Sequence, residues 1–243
     1  MIHPVLQSML FGLNDAHVIL EPVSGQLMHP EALAAFSQLR RDAQEAGYDP
    51  RVVSGFRDFE RQRTIWNRKA LGQRPLLDSA GNPLDVAQMS PQDTVFAILR
   101  WSALPGGSRH HWGTDFDVID AAAVPEDYQV QLTPDEVADS GVFGPFHCWL
   151  DERIAAGKSY GLFRPYDKDR GGVAPERWHL SYAPRARELQ DLLTPALLRE
   201  RVEGCQRGSE LALADTVCAN MESIYQRFVA VPDSAYPDNL DRL

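Results

Sequence analysis

Residues Ser108 to Asp117 read Ser-Arg-His-His-Trp-Gly-Thr-Asp-Phe-Asp, and Glu176 to His179 read Glu-Arg-Trp-His. The two segments offer imidazoles, carboxylates and one further glutamate. These are the parts of a hydrolytic zinc site, which needs three protein ligands, an open position and a carboxylate to take a proton from the attacking water. Six residues separate His110 from Asp117, and Gly113 among them permits a tight reversal, so that a loop imidazole can face a strand carboxylate. Zinc takes imidazole nitrogen at about 2.0–2.1 Å and carboxylate oxygen at about 2.0–2.2 Å, so both side chains can hold one Zn2+ ion, with His179 completing the set. His111 and Asp115 form a rival pair of the same chemistry, and the residue types alone leave both pairs open. Taken singly, each of these residues is more often a packed or hydrogen-bonded side chain. The set, in its strand and turn context, is what points to a metal.

Glu176 lies three residues before His179. On a regular strand an odd separation puts two side chains on opposite faces, so Glu176 must lie in the irregular entry after Pro175 if both are to face one ion. There it would serve as general base and later pass its proton to a leaving amine. Arg57, in Ser54-Gly-Phe-Arg-Asp-Phe-Glu-Arg-Gln62, sits at a strand-to-helix turn, from which a rigid guanidinium can reach a cleft and steady an oxyanion. His147 lies on the apolar face of a predicted helix and is read as core or surface.

The elements that must position these groups follow from periodicity. Leu33, Phe36, Leu39 and Ala43 recur at helical spacing and Gly47 supplies a stop, which predicts a helix over about 30–46. Pro50 to Ser54 reads as a short buried strand, and Asp58 as the cap of a second helix carrying Gln62, Ile65 and Trp66. Residues 71–90 are a long Gly-, Pro- and Asp-rich loop, expected to shape substrate choice. Ser90-Pro91 opens a third helix running to about Ala103. Thr114 to Ile119 alternates as a strand, with Asp115, Asp117 and Ile119 on one face and Thr114, Phe116 and Val118 on the other. Further strands are expected at Tyr128–Leu132, Tyr160–Phe163 and Trp178–Tyr182. Helices are expected from Thr133, over Phe146–Ala156, and at about 185–203 and 209–229. The first 29 residues should form a short helix or loops, and Pro232 to Leu243 should be loose. The pattern predicts one α+β domain over 1–243, with helices on one side of a small, mostly antiparallel sheet. The motif-bearing core would span about 30–185, and a helical C-terminal extension about 185–230.

The chain has 243 residues, 44% of them hydrophobic, enough to bury a core without disulfides. Cys148, Cys205 and Cys218 form no knuckle or redox spacing and read as buried small hydrophobes. A net charge of −10 argues against nucleic acid and anionic membranes as partners. No stretch approaches the roughly 18 apolar residues of a membrane span. The first residues lack a basic n-region, which points to the cytoplasm; a periplasmic or cell-envelope location is the alternative.

Three segments in order resemble the VanY-type D-alanyl-D-alanine carboxypeptidases. Their zinc-peptidase group also holds the VanX dipeptidases, phage L-alanyl-D-glutamate peptidases and the hedgehog signalling domain. The family's Ser-x-His-x-x-Gly-x-Ala-x-Asp falls on Ser108, His110, Gly113 and Asp117, with Asp115 where the family has alanine. Its Glu-x-x-His falls on Glu176 and His179, with Trp178 in the usual aromatic position. Its Ser-Gly-Tyr-Arg-Ser-x-x-x-Gln falls on Ser54, Gly55, Phe56, Arg57 and Gln62, with Phe for tyrosine and Asp58 for serine. The resemblance covers about 30–182. It implies that His110, Asp117 and His179 bind zinc, that Glu176 is the base and that Arg57 steadies the intermediate. Ser108, Gln62, Trp178 and Asp115 are the implied substrate contacts, with Asp115 placed either to repel a carboxylate or to orient a ligand. The implied activity is removal of a C-terminal D-alanine from a peptidoglycan peptide or precursor. The alternatives are an endopeptidase or D-Ala-D-Ala dipeptidase of the same group and a non-catalytic zinc-binding module. A non-haem iron oxygenase uses two histidines and a carboxylate as well, but its closely spaced His-x-Asp is absent.

Overall fold

The structure, a computed structural model, describes residues 3–79, 81–205, 210–238 and 240. Its centre is a four-stranded antiparallel sheet built from β1 (Pro50–Ser54), β2 (Asp115–Asp120), β3 (Leu162–Phe163) and β4 (His179–Tyr182), in spatial order β1-β2-β4-β3. Alternation sorts the side chains. Val52, Phe116, Val118, Leu162 and Leu180 turn to one face and pack with α1 (Pro30–Glu45), which contributes Ala32, Phe36 and Leu39. Phe36 meets Phe116 edge-to-face at 5.0 Å between ring centres. Phe146 and Leu150, near the start and middle of Gly144–Ala155, close the same core. The opposite face carries Ser54, Asp115, Asp117, His179 and Ser181.

The helix signals hold where they are strongest. Pro30 opens α1, and the chain leaves it at Gly47, whose φ is +93°. Asp58 accepts from the Arg61 amide at 2.7 Å and caps α2 (Phe59–Ala70). Ser90 accepts from the Asp93 amide at 3.1 Å and caps α3 (Pro91–Trp101). These two helices do not lie on the sheet. With Leu10 and Phe11 at the end of the short first helix, they form a separate helical core that includes Trp66, Ile98, Trp112, Leu189, Leu198 and Ile224. The C-terminal helices are therefore part of a packed body. Among the described residues no helix is long and apolar enough to cross a membrane.

Several expectations need correction. Residues 128–132 pair with no strand. The Glu136 carboxylate gathers the Gln131 and Thr133 amides and the Tyr128 hydroxyl, and Leu132 takes a φ of +53°, so the segment closes on itself as a loop. The helix expected over 185–203 is two, Ala183–Leu192 and Pro195–Cys205, because Pro195 has no amide hydrogen to continue the first. The helix expected over 209–229 breaks into Ala214–Ala219, Met221–Ile224 and a wide π-type turn at Tyr225–Val229; residues 206–209 lie outside the described residues. The tail is not loose where it is described, since Tyr236 is buried and its ring packs at a tilt against Phe163, 4.7 Å between ring centres. Residues 239 and 241–243 lie outside the described residues. Cys148 and Cys218 are half-buried rather than buried, and Cys148 donates to Asp139 and accepts from Arg177.

Candidate metal centre and cleft

Register builds the site. In the ladder Asp117 stands opposite His179 on β4 and opposite Ser54 on β1, so these three share a row on the polar face. Asp115 stands opposite Ser181, one row further along. His110 comes from outside the sheet, on a tight turn Arg109–Trp112 that ends at Gly113. Gly113 takes a φ of +68°, and a Cβ there would collide with Val18 Cγ1 and the His29 amide, so only glycine fits.

The Arg57 turn and the His110 turn are sewn together by three bonds. The Arg57 amide donates to His110 O at 3.1 Å, His110 Nδ1 to Gly55 O at 2.8 Å, and His111 Nδ1 to Arg57 O at 2.6 Å. These bonds leave the two histidines differently supplied with free nitrogens. With Nδ1 bonded to a carbonyl, His110 keeps Nε2 free toward Asp117 Oδ2, 3.7 Å away. His111 has no free nitrogen, because its Nε2 accepts from the Gly106 amide at 3.0 Å. His147 is buried beside Arg164 and is not among the residues whose ligand atoms converge.

The ligand atoms of His110, Asp117 and His179 lie within 4.8 Å of one another, and all three residues are buried. His179 places Nδ1 3.0 Å from Asp117 Oδ1 and 3.8 Å from Glu176 Oε2, while its Nε2 bonds Asp115 Oδ1 at 3.1 Å. The donor set fits a divalent cation: two imidazoles each present one nitrogen inward with the other anchored, beside one carboxylate. Charges agree with this. Burial, with Arg57 nearby, holds His110 neutral, down to about 3. Burial opposes charge on His179 too, but its bonds to Asp115 and Asp117 lift it to about 10, so in the metal-free protein a proton sits where a cation would bind. Burial also works against the Asp117 carboxylate, yet His110, His179 and Arg57 keep it below its ordinary range.

Glu176 and His179 meet because the backbone turns between them, with the His179 amide donating to Glu176 O at 3.1 Å and β4 beginning only at His179. Burial, reinforced by Asp117, raises the Glu176 carboxyl to about 7, against the pull of His179, Arg57 and Lys69. Arg57 is fixed by Gln62 Oε1 at 2.8 Å and Ser54 Oγ at 3.1 Å, and its Nε has no partner among the described residues. Ser108 is buried, and its hydroxyl is likewise unpartnered.

Arg57, Ser108, His110, Asp117, Glu176, Trp178 and His179 all line one cleft of about 670 Å³. Leu77, Ser79 and Gly81 of the long loop form part of its wall, and Gln131 to Asp135 another. Two expected substrate contacts are not there. Gln62 is fully buried, with its carbonyl held by Arg57 and its amide by Ala103 O at 2.6 Å. Asp115 is also fully buried, behind His179, with both oxygens bonded to protein. Lys69 and Tyr166 line the cleft but stand in no motif. Burial brings Lys69 down to about 8, and its Nζ donates to Ser102 Oγ at 2.6 Å. A helical signal for Lys69 existed: it lies seven residues after Gln62 and four after Ile65, on the same face of α2.

A family model described as VanY, D-alanyl-D-alanine carboxypeptidase, matches residues 25–185. An uncharacterized protein of Haemophilus influenzae is 40% identical over 99 residues, 40% of this chain and 68% of that protein. A second from the same organism is 27% identical over 128 residues, 52% and 92% of the two chains. Among solved structures, VanYB in complex with D-alanine-D-alanine is 22% identical, covers 78% of this chain and 90% of its own, and has a TM-score of 0.48. The LdcB LD-carboxypeptidase is 19% identical, covers 73% of both chains and has a TM-score of 0.49. The match over residues 25–185 takes in all three motifs and well over half of the sequence, and the chain belongs to the VanY D-alanyl-D-alanine carboxypeptidase family.

Proposed function

We propose that the protein is a zinc-dependent D,D-carboxypeptidase that releases the C-terminal D-alanine of peptidoglycan peptides or their precursors. One observation carries the reading: His110, Asp117 and His179 converge within 4.8 Å at the wall of a cleft that also holds Glu176 and Arg57. Zinc held by those three residues would act as a Lewis acid on the scissile carbonyl and make water a better nucleophile. The chain's own groups do the rest. Glu176, with a carboxyl near 7, accepts a proton from the attacking water and returns it to the nitrogen as the C–N bond breaks, freeing D-alanine as an amine. Arg57 lines the cleft, held there by Gln62 and Ser54, and its guanidinium steadies the oxyanion. The Ser108 hydroxyl, buried and without a partner, orients the peptide, and Trp178 supplies an apolar wall. Lys69 adds a second cation to the cleft, suited to the free carboxylate that an exopeptidase must recognise. The reading extends to the domain plan: one peptidase domain, with the helices after residue 185 packed onto its motif-bearing core.

The test is release of D-alanine from peptides ending in D-Ala-D-Ala by the zinc-loaded protein. Release that is lost when the peptide's C-terminus is amidated supports the exopeptidase. Cleavage that persists on the amidated peptide indicates an endopeptidase, and no release from any such peptide overturns the proposal.

A further inference from the structure

Asp115 departs from the family motif, and its surroundings are specific. Its Oδ1 accepts from His179 Nε2 at 3.1 Å and from Arg109 Nε at 2.8 Å. Its Oδ2 accepts from Thr114 Oγ1 at 2.6 Å and Ser181 Oγ at 3.0 Å. Both Asp115 and Arg109 are fully enclosed. A buried ion pair is costly to form, and it survives only when its remaining donors and acceptors are satisfied. Arg109 meets that demand with Ser181 and with two residues beyond the family match, Gln190 and Tyr236. Its Nη2 donates to Ser181 Oγ at 2.8 Å, and its Nη1 to Gln190 Oε1 at 3.0 Å and Tyr236 Oη at 3.3 Å. Gln190 is itself clamped by Val231 through two 2.9 Å bonds.

We propose that Asp115 and Arg109 are positioning residues for the third metal ligand, and that Gln190, Val231 and Tyr236 complete the clamp that holds them. A carboxylate only accepts, so His179 carries a proton on Nε2 toward Asp115, and Nδ1, which faces Asp117, is the nitrogen left to exchange its proton for a cation. With alanine at 115, as in the family motif, Nε2 has no carboxylate to hold it. Outer carboxylates of this kind fix the tautomer and ring orientation of a ligating histidine and strengthen its donation. The C-terminal extension thus serves the metal centre from the same polar face of the sheet, and none of its residues lines the cleft.

The inference rests on the zinc reading, and long-range proton–nitrogen spectra of the zinc-loaded wild type separate the two. The expected pattern is zinc on Nδ1 of His179 and a slowly exchanging proton on Nε2. Zinc on Nε2, or an Nε2 proton exchanging as fast as in a free imidazole, overturns the clamp and leaves the metal site standing. Zinc that perturbs neither nitrogen of His179 overturns the metal site itself. Asp115→Asn should weaken zinc binding about 10–100-fold in chelator competition. Should that variant not fold, Arg109→Met with Asp115→Ala removes the charges together and should show the same loss. Wild-type zinc affinity in either folded protein overturns the clamp. Tyr236→Phe should speed exchange of the His179 Nε2 proton; unchanged exchange removes the tail from the proposal.

Discussion

On one face of the four-stranded sheet, Val52, Phe116, Val118 and Leu180 vanish beneath α1. One residue away along the same strands, Ser54, Asp115, Asp117, His179 and Ser181 form a polar surface. The apolar face is held by contact area, which is non-directional and adds up atom by atom. The polar face is held by directed bonds in which each donor has an assigned acceptor. Where that pairing is complete, as at Asp115 and Gln62, the residues serve other residues. Arg57 Nε and Ser108 Oγ lack partners among the described residues, and both residues line the cleft.

The contrast can be broken at three places. The largest effect is expected from Glu176→Gln, which keeps shape and removes the base: turnover should fall about 10²–10⁴-fold, with zinc content and melting temperature near wild type. Metal analysis and calorimetry on the same sample check it, and a mutant with full turnover would remove Glu176 from the mechanism. Phe116→Ala, one position before Asp117 but on the apolar face, should do the reverse. Stability should drop by about 3–5 kcal/mol in denaturant titration, while zinc affinity at low temperature stays within a few-fold. If zinc affinity collapses while the protein is still folded, the two faces are not independent. The smallest effect is expected from Asp58→Ala, which removes the cap of α2 next to Arg57. About 1 kcal/mol of stability should go, with kcat little changed, because Gln62 and Ser54 rather than the cap hold the guanidinium.

Much of the frame could be read without coordinates. The caps at Asp58 and Ser90, the apolar repeat of α1 and the alternation of β2 are local patterns, and a period of two or 3.6 is visible in any short window. The apolar residues of 128–132 resemble a strand in sequence, but the Glu136 carboxylate closes the segment as a loop and takes the place of a ladder partner. The polar composition of the tail hides Tyr236, whose partners Phe163, Gln190 and Arg109 lie far back along the chain.

By itself the sequence determined which side chains of the strand from Asp115 face together, the capped starts of the helices around them, and three motifs in family order. Only the tertiary structure decided that His110 rather than His111 turns a nitrogen inward, that Gln62 serves Arg57, that Asp115 stands behind His179, and that Lys69 and Tyr166 share the cleft. Each of those outcomes depends on a bond or approach between segments brought together only when the chain closes, and the direction of a donor or lone pair is a property of that closure, with no counterpart in local spacing.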